Sequence, residues 1–283
     1  MLSKNIETFI GCDKEFDEAD FVIFGAPFDS TTSYRPGARF GSKAMRGESF
    51  GLETYSPYKD KDLLDSNVFD GGDLELCFGN TKRVIDDIKN YELYILNNNK
   101  LPIMIGGEHL VTLGGVAAAV EKYGDICIVH FDAHADLRED YLGEKLSHAC
   151  VIRRCNEIIG EGKVYQFGIR SGEKAEFDYA KTATVMNKFN FNGIDKACKE
   201  IGDKPVYLTI DLDVLDSAVF PGTGTPEAGG VSFMDLIGAI DSVSNLNIIG
   251  ADVTELCPIY DQSGISTATA CKILRELILA LDK

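Results

Sequence analysis

The chain has 283 residues, of which 45% are hydrophobic and 26% charged, values that are ordinary for a folded globular protein and argue against disorder. Its 45 acidic and 28 basic residues give a formal net charge of −17, which disfavours nucleic acid as a partner because phosphate backbones are repelled. Such a charge attracts small cations, including metal ions and amines, although many acidic surfaces serve only solubility.

The first 18 residues contain no long apolar stretch of the kind found in signal peptides, and no uncharged apolar run reaches about 18 residues anywhere. The eight cysteines lack CxxC spacing, and several lie inside apolar runs such as 125–129. We expect them to be small buried side chains in a reducing compartment. The sequence therefore predicts a cytoplasmic protein with no membrane partner.

Short apolar runs alternate along the chain with longer helical patterns. Several runs are nearly continuous in Val, Ile and Leu, which is typical of parallel strands buried on both faces. No linker divides the chain, so we predict a single three-layer α/β/α domain over 1–283 with a parallel sheet. The predicted strands are 21–28, 101–107, 126–133, 164–170, 205–215 and 247–256, and the predicted helices are 80–98, 109–122, 147–160, 232–245 and 263–282.

Two short motifs do not have the context that their usual function requires. The segment 47–51 matches the GxSxG pattern of a nucleophile elbow, but the preceding residues are predicted to be helical, whereas that elbow follows a strand. The glycine-rich segment 222–225 matches neither a dinucleotide-binding fingerprint nor a P-loop. We therefore exclude both from the predicted site.

Potential metal ligands follow three of the predicted strands. Asp132, His134 and Asp136 alternate after the strand 126–133, and in extended chain such side chains point to one side. A lone aspartate at a strand end more often caps a turn or helix, so this motif alone is ambiguous. Two further sets reduce that ambiguity: Asp211 and Asp213 end the run 205–215, and His109 follows the run 101–107.

The predicted ligand set contains four carboxylates and two imidazoles. Four clustered carboxylates would be very costly to bury without cations, and two divalent ions would balance their charge. A set so rich in oxygen fits a two-metal site, with hard ions such as manganese, better than one tetrahedral zinc. His130 has the same strand parity but lies deeper, so we interpret it as a hydrogen-bonded core histidine.

At these residues the sequence resembles the ureohydrolases, the family of arginases and agmatinases. The resemblance spans nearly the whole chain and is carried by 33–46, GGEH (106–109), HFDAHAD (130–136), SHA (147–149), 210–230 and ADVTELCP (251–258). It implies an arginase-like fold and a binuclear manganese centre. Ser217 stands where relatives usually have proline, a departure that removes no ligand.

The resemblance also implies a role for each matching residue. One manganese ion would be held by His109, Asp132, Asp136 and Asp211, and the other by Asp132, His134, Asp211 and Asp213. His148 matches the proton-shuttling histidine, Glu255 the glutamate that holds the guanidinium group, and Thr225 a pocket threonine, while Asp136 would orient the nucleophile. Without the resemblance, His148 would be interpreted as a solvent-exposed histidine at a helix start, and Glu255 as a surface ion-pair partner.

The loop 137–147 joins the metal motif to His148 and carries Glu139, Asp140 and Glu144. An acidic entrance favours a substrate with a cationic tail over one with a carboxylate, and the loop is similar to that of bacterial agmatinases. We therefore predict hydrolysis of agmatine to putrescine and urea.

Several alternatives remain open. Guanidinobutyrase, arginase and formimidoylglutamase activities use the same scaffold, and a degenerate regulatory homologue is the non-enzyme alternative. A zinc deacetylase of similar architecture is disfavoured because the chain lacks a tandem His-His pair. The resemblance further implies a homo-oligomer, either a trimer or a hexamer.

Overall fold

The computed structural model describes residues 7–283. Residues 1–6, which belong to the predicted domain 1–283 and to the stretch considered for a signal peptide, lie outside the described residues. Eight parallel strands form the central sheet, and two strands of two residues each form a small antiparallel hairpin. In chain order the strands are β1 (Phe21–Ala26), β2 (Tyr55–Ser56), β3 (Lys61–Asp62), β4 (Val68–Asp73), β5 (Leu101–Gly106), β6 (Cys127–Phe131), β7 (Val164–Ile169), β8 (Val185–Lys188), β9 (Pro205–Asp211) and β10 (Asn247–Thr254).

Helices connect successive strands and cover both faces of the sheet. They are α1 (Gly41–Ser49), α2 (Thr81–Asn97), α3 (Thr112–Tyr123), α4 (Val151–Ile159), α5 (Lys174–Ala183), α6 (Ile194–Ile201), α7 (Phe233–Val243) and α8 (Ile265–Leu281). The order of strands across the sheet is β4-β1-β5-β10-β9-β6-β7-β8. One buried core packs α1, α6, α7 and α8 against one face, and a second packs α2 to α5 against the other. The structure thus confirms the predicted three-layer α/β/α fold with a parallel sheet.

All six predicted strands and all five predicted helices are present, but several strands end earlier than predicted. The predicted strand 126–133 stops at Phe131, and the predicted strand 205–215 stops at Asp211. The residues that follow are polar ligand candidates whose chain turns out of the sheet. The edge strands β4 and β8 and the helices α5 and α6 were not predicted. Both strands are partly exposed, β4 contains two glycines, and β8 has only four residues.

The register of the central strands places a row of polar side chains across the sheet. Asp252 on β10 aligns with Thr209 on β9, Thr209 aligns with His130 on β6, and His130 aligns with Gln166 on β7. All four are fully buried, on the face covered by α2 to α5. Asp132 lies two residues after His130, just beyond the end of β6, and Asp211 lies two residues after Thr209, at the end of β9. Both are on the same face as this row.

All eight cysteines are free thiols, and six of them are buried, as the apolar runs around them predicted. Between residues 7 and 283, no helix combines the length and the apolar character needed to cross a bilayer.

A buried ion pair fixes α1 to the edge strand β4. The guanidinium of Arg46 donates to both carboxylate oxygens of Asp70, at 2.8 Å and 2.9 Å, and also to Asp73. Asp70 additionally accepts the backbone N–H of Phe9 at 2.8 Å, which ties the N-terminal segment to the same point. Arg46 and Asp70 are each more than 90% buried, so neither charge can be compensated by solvent.

We predict that Arg46→Met lowers the free energy of unfolding by about 3–5 kcal/mol, because it leaves the buried Asp70 carboxylate without its cation. Urea denaturation followed by circular dichroism would measure the change. Lys82→Met is the control, since Lys82 forms an exposed pair with Asp86 on α2 and should cost about 0.5 kcal/mol or less. Equal effects of the two substitutions would contradict the conclusion that the buried Arg46–Asp70 ion pair stabilises the packing of α1 against β4.

Candidate metal centre and active site

Three strand ends bring the predicted ligands to the carboxyl edge of the sheet. β6 ends immediately before Asp132, β9 ends at Asp211, and His109 begins the 3₁₀ turn that follows β5. Because these strands are parallel and lie in the middle of the sheet, their carboxyl ends open at the same place. Four of the six predicted metal ligands are more than 95% buried, Asp136 is 6% exposed, and the side chain of His134 is 22% exposed.

His109 is at the centre of the first group of ligands. Its Nδ1 lies 3.1 Å from Asp132 Oδ2, 3.2 Å from Asp136 Oδ2 and 3.4 Å from Asp211 Oδ2. Although these three carboxylate oxygens surround it, Nδ1 makes no well-formed hydrogen bond with any of the described residues. A buried nitrogen that faces three carboxylates in this way matches the predicted ligand set of one cation.

The second group forms around His134. Its Nδ1 lies 2.9 Å from Asp213 Oδ2 and 3.5 Å from Asp132 Oδ1. Asp132, His134 and Asp213 can present one ligand atom each within 4.8 Å of one another. Asp213 N donates to Asp211 Oδ1 at 2.8 Å, so the two aspartates of the DxD segment are held side by side. Asp132 belongs to both groups, as expected of a bridging ligand.

The electrostatics of the cluster favour added positive charge. Burial and the neighbouring charges of Asp213 and Asp132 raise the pKa of Asp211 well above its ordinary value. Burial alone would lower the pKa of His109, but its contacts with Asp132, Asp136 and Asp211 raise it well above normal. Both pKa shifts follow from the concentration of buried negative charge, which divalent cations would offset. The donor set therefore fits a metal centre.

His130 also lies near the ligands, in a grouping with His109 and Asp132 that could hold an ion. Both of its ring nitrogens are already engaged, however. Nε2 lies 2.8 Å from Asp132 Oδ2, and Nδ1 accepts a hydrogen bond from Gln166 Nε2 at 3.1 Å. Because Gln166 donates to Nδ1, the ring proton sits on Nε2 and is directed at Asp132. We therefore interpret His130 as a hydrogen-bonded support for Asp132, in agreement with its interpretation as a core histidine.

Two residues of the site have left-handed backbone conformations that non-glycine residues rarely adopt. Asp136 has φ = 52° and Glu255 has φ = 65°. Each such residue costs on the order of 1–3 kcal/mol and persists only where surrounding contacts hold it. Glu255 is held by its backbone N–H, which donates to Gly107 O at 2.9 Å, and by its carboxylate, which accepts His109 N at 2.8 Å. The left-handed turns direct both carboxylates into the cluster.

His148 and Glu255 form a pair beside the metal ligands. His148 Nδ1 lies 3.4 Å from Glu255 Oε1, and Nε2 accepts the backbone N–H of Ser33 at 3.0 Å. Burial lowers the pKa of His148, but the charge of Glu255 outweighs it and raises the pKa to about 9. In the neutral ring Nε2 accepts the Ser33 N–H, and in the charged ring Nε2 can donate to Ser33 Oγ, which lies 2.8 Å away. In the neutral and in the charged ring alike, a proton therefore occupies Nδ1, next to Glu255. His148 is 93% buried rather than exposed.

A cavity of about 290 Å³ opens onto these residues. Its lining includes Asp136, His134, His148, Asp211 and Thr225, and at the rim Ser33, Arg138, Tyr141, Ser171, Glu173 and Glu176. Thr225 Oγ1 donates to Asp213 Oδ2 at 3.2 Å, so this threonine contacts the predicted ligand cluster as well as the cavity. Glu255 is not part of the cavity lining but contacts His148, which is.

The loop 137–147 differs in part from the prediction. Arg138 and Tyr141 line the cavity, and Glu144 lines a neighbouring cavity of about 610 Å³. Glu139 and Asp140 line neither, because Asp140 accepts the Gly143 N–H within a tight turn and Glu139 faces Arg153. The exposed acidic group of the cavity lining is instead Glu173, in the loop after β7, whereas Glu176 on α5 also lines the cavity but is buried.

The sequence analysis did not identify Glu108, which adjoins the ligand His109. Glu108 is fully buried, and its carboxylate accepts Thr31 N at 2.9 Å, Thr31 Oγ1 and Thr32 Oγ1. Thr31 Oγ1 in turn accepts His148 N at 3.1 Å. Burial, opposed in part by the charge of His148, raises the pKa of Glu108 to about 7. Glu108 thus holds the loop that positions His148. The only sequence signal for this role was the place of Glu108 in the GGEH block.

Comparison with known proteins gives a consistent result. Residues 19–280 match the Arginase family. The chain is 47% identical over 281 residues to the agmatinase of Bacillus subtilis (strain 168), an alignment that covers 98% of this chain and 97% of that protein. A crystal structure from Clostridium difficile superposes with a TM-score of 0.92 at 50% identity, covering 95% of this chain and 99% of the other. The agmatine ureohydrolase of Thermoplasma volcanium superposes with a TM-score of 0.89 at 36% identity, covering 98% and 95%.

We predict that Glu108→Gln loosens the loop 30–33, because an amide nitrogen cannot accept the hydrogen bonds of Thr31 and Thr32. The donors of Thr31 and Thr32 that lose their acceptor should lower the free energy of unfolding by about 1–3 kcal/mol. Hydrogen exchange measured by mass spectrometry should be faster in peptides that cover 30–33. Glu144→Gln makes the same chemical change at an exposed site and should leave exchange at 30–33 as in the wild type. Unaltered exchange in the Glu108 variant would argue against its positioning role.

Proposed function

Because the chain belongs to the arginase family of ureohydrolases, we propose that it hydrolyses the guanidinium group of agmatine to putrescine and urea. Family membership confirms what the motif blocks predicted. The observation that carries the proposal is the convergence of four aspartates and two histidines beside the Glu255–His148 pair, at one end of a cavity. A degenerate homologue would not be expected to keep every one of these groups in place.

We propose two Mn²⁺ ions as the cofactor. His109, Asp132, Asp136 and Asp211 would hold one ion, and Asp132, His134, Asp211 and Asp213 the other. When bound, the ions neutralise the carboxylates and supply the Lewis-acid activation of water that hydrolysis of a guanidinium group requires. Two divalent ions carry a charge of +4, which balances the four aspartates. The choice of manganese rests on the predominance of carboxylate ligands and on the family resemblance.

In the proposed mechanism, Glu255 orients the guanidinium group. Its Oε1 already accepts His109 N and faces His148, whereas Oε2 has no hydrogen-bond partner within residues 7–283. One carboxylate oxygen is therefore available to the substrate, and the other is held by the protein. A charge-assisted contact of this kind fixes a planar cation in a defined direction.

In the same mechanism, His148 donates a proton to the leaving amine and Asp136 orients the attacking water. The proton on His148 Nδ1 lies next to Glu255, so a guanidinium nitrogen held by Glu255 is within the region that this proton can reach. As the C–N bond breaks, the departing amine of putrescine needs a proton, and His148 is placed to supply it. Asp136 lines the cavity and would accept a hydrogen bond from the attacking water and orient it.

The charge at the cavity rim supports a substrate with a cationic tail. Arg138 Nη1 lies 2.7 Å from Glu173 Oε1, and Nε lies 3.7 Å from Glu176 Oε2. Arg138 is therefore already paired with the exposed Glu173, while the buried Glu176 carboxylate accepts the backbone N–H groups of Leu137 and Glu173. A substrate carboxylate would have to displace Glu173 from Arg138, whereas the ammonium group of agmatine would be attracted by Glu173.

The remaining proposals rest on the resemblance and on composition. We propose that residues 1–283 form one ureohydrolase domain, that the protein is cytoplasmic, and that it assembles as a trimer or a hexamer. Native mass spectrometry would determine the number of chains in the assembly.

The first test of function is a substrate panel. The Mn²⁺-loaded protein should release urea from agmatine with a kcat/KM at least about 100-fold higher than from arginine or 4-guanidinobutyrate, which corresponds to roughly 2.7 kcal/mol of discrimination by the charge of the tail. Formiminoglutamate should yield no formamide. Urea from arginine alone would overturn the choice of substrate, and no turnover of any guanidine by the metal-loaded protein would favour the degenerate homologue.

The second test concerns His148. We predict that His148→Gln lowers kcat for agmatine by about 10²- to 10⁴-fold, the usual range for loss of a general acid. The bound manganese should be unchanged, because His148 is not among the six proposed ligands. His134→Gln is the matched control and should lower the manganese content. If the His148 variant lost metal as well, His148 would have to be reassigned as a ligand.

A further inference from the structure

A chain of hydrogen bonds leads from the proposed metal ligand His109 into the core of the sheet. His109 Nε2 lies 2.8 Å from Thr209 Oγ1, and Thr209 Oγ1 donates to Asp252 Oδ1 at 2.6 Å. All three residues are fully buried. Thr209 and Asp252 lie side by side in the register of β9 and β10, so the rigid sheet sets their separation.

The direction of these bonds determines where the proton of His109 sits. A threonine hydroxyl has one hydrogen, and Thr209 gives it to Asp252. Towards His109, Thr209 Oγ1 can then act only as an acceptor, so His109 Nε2 must carry a hydrogen. In the neutral ring this leaves the lone pair on Nδ1, the nitrogen that faces Asp132, Asp136 and Asp211. A metal ligand needs that lone pair.

We propose that Asp252 is a positioning residue that acts through Thr209 to hold His109 in the tautomer and orientation required for metal binding. The inference rests on the metal role proposed above for His109. A group that accepts a hydrogen bond from the second ring nitrogen of a metal-binding histidine fixes the orientation of the ring and increases its basicity. Asp252 touches neither the cavity nor the ligand cluster directly, and its place in the ADVTELCP block is otherwise unexplained by the proposed mechanism.

Asp252 Oδ2 is buried and has no well-formed hydrogen bond within residues 7–283, and the same holds for the nearby Tyr207 hydroxyl and both carboxylate oxygens of Glu92. Tyr207 and Glu92 lie close by and are fully buried. Gly115 leaves room for them, because a Cβ there would come within 2.7 Å of Glu92 Oε2. Burial raises the pKa of Asp252, but the chain of bonds does not depend on ionisation. A proton on Oδ2 leaves Oδ1 free to accept the hydrogen of Thr209.

Thr209 variants test the inference in the full-length protein. Thr209→Val keeps the shape of the side chain and removes the hydroxyl, whereas Thr209→Ser keeps the hydroxyl. We expect Thr209→Val to weaken Mn²⁺ binding 10- to 100-fold and Thr209→Ser to stay within about threefold of the wild type. Free Mn²⁺ measured by electron paramagnetic resonance during titration gives the dissociation constants directly, without any activity assay.

Thr112→Val is the matched control. Thr112 Oγ1 lies 3.3 Å from Thr209 Oγ1 and also contacts Asp252, but within residues 7–283 its hydroxyl makes no hydrogen bond to His109. It should bind Mn²⁺ within about threefold of the wild type. Asp252 gives a second pair of variants, in case Thr209→Val does not fold: Asp252→Asn retains an acceptor oxygen and should bind normally, whereas Asp252→Ala should weaken binding to the same degree as Thr209→Val.

Kinetics separate positioning from general damage to the fold. In the positioning role, saturating Mn²⁺ restores most of the kcat of Thr209→Val, and the KM for agmatine is unchanged. If Thr209→Val or Asp252→Ala bound Mn²⁺ as tightly as the wild type, or if Thr112→Val lost as much affinity as Thr209→Val, the inference would be overturned while the proposed function would stand. Failure of the wild-type protein to bind Mn²⁺ overturns the proposed function, and this inference with it.

Discussion

The rest of the site depends on the placement of four carboxylates where solvent cannot compensate their charge. Asp132, Asp136, Asp211 and Asp213 are all more than 90% buried at one edge of the sheet. Such a cluster is tolerable only with cations or protons beside it. The two imidazoles of His109 and His134, the raised pKa of Asp211 and the cavity above the cluster follow from that requirement. A fold that did not have to accommodate cations here could hold apolar residues at these positions with less free-energy cost.

The parallel sheet meets this requirement in two successive layers. The upper layer consists of the ligands themselves, which follow the last residues of β6 and β9. The lower layer is the buried row of Asp252, Thr209, His130 and Gln166, two residues earlier on the same strands and on the same face. Thr209 contacts His109 and His130 contacts Asp132, so each proposed ion has a ligand that is supported from below. Strand register sets the lower layer, whereas the turns after β5, β6 and β9, including the left-handed Asp136, set the positions of most of the proposed ligands.

The sequence predicted the side chains that meet at the centre and the role of His130, but not Glu108 or the partners of His148, and the reason is the range of the contacts. Asp132, His134 and Asp136 are close in sequence and were predicted together as one extended segment, although β6 ends at Phe131 and a left-handed turn at Asp136 completes the arrangement. Glu108, in contrast, acts on Thr31, 77 positions away, and His148 contacts Ser33 across 115 positions. No local pattern encodes such pairs. The direction of side chains in the loop 137–147 was likewise inaccessible, because a tight turn and one arginine move two of its three acidic residues away from the cavity.

Chemistry and selectivity consequently belong to different parts of the molecule. The proposed metal ligands and their supports lie within the sheet or on the segments that directly follow β5, β6 and β9, and most of them are buried. The rim residues Arg138, Tyr141 and Glu173 lie on connecting segments and are partly exposed, and such segments tolerate substitution more easily. A change of the charge at the rim can therefore alter which tail is accepted without disturbing the cations below. The same separation explains why motif residues identify the reaction class, while the substrate must be argued from the few side chains at the mouth of the cavity.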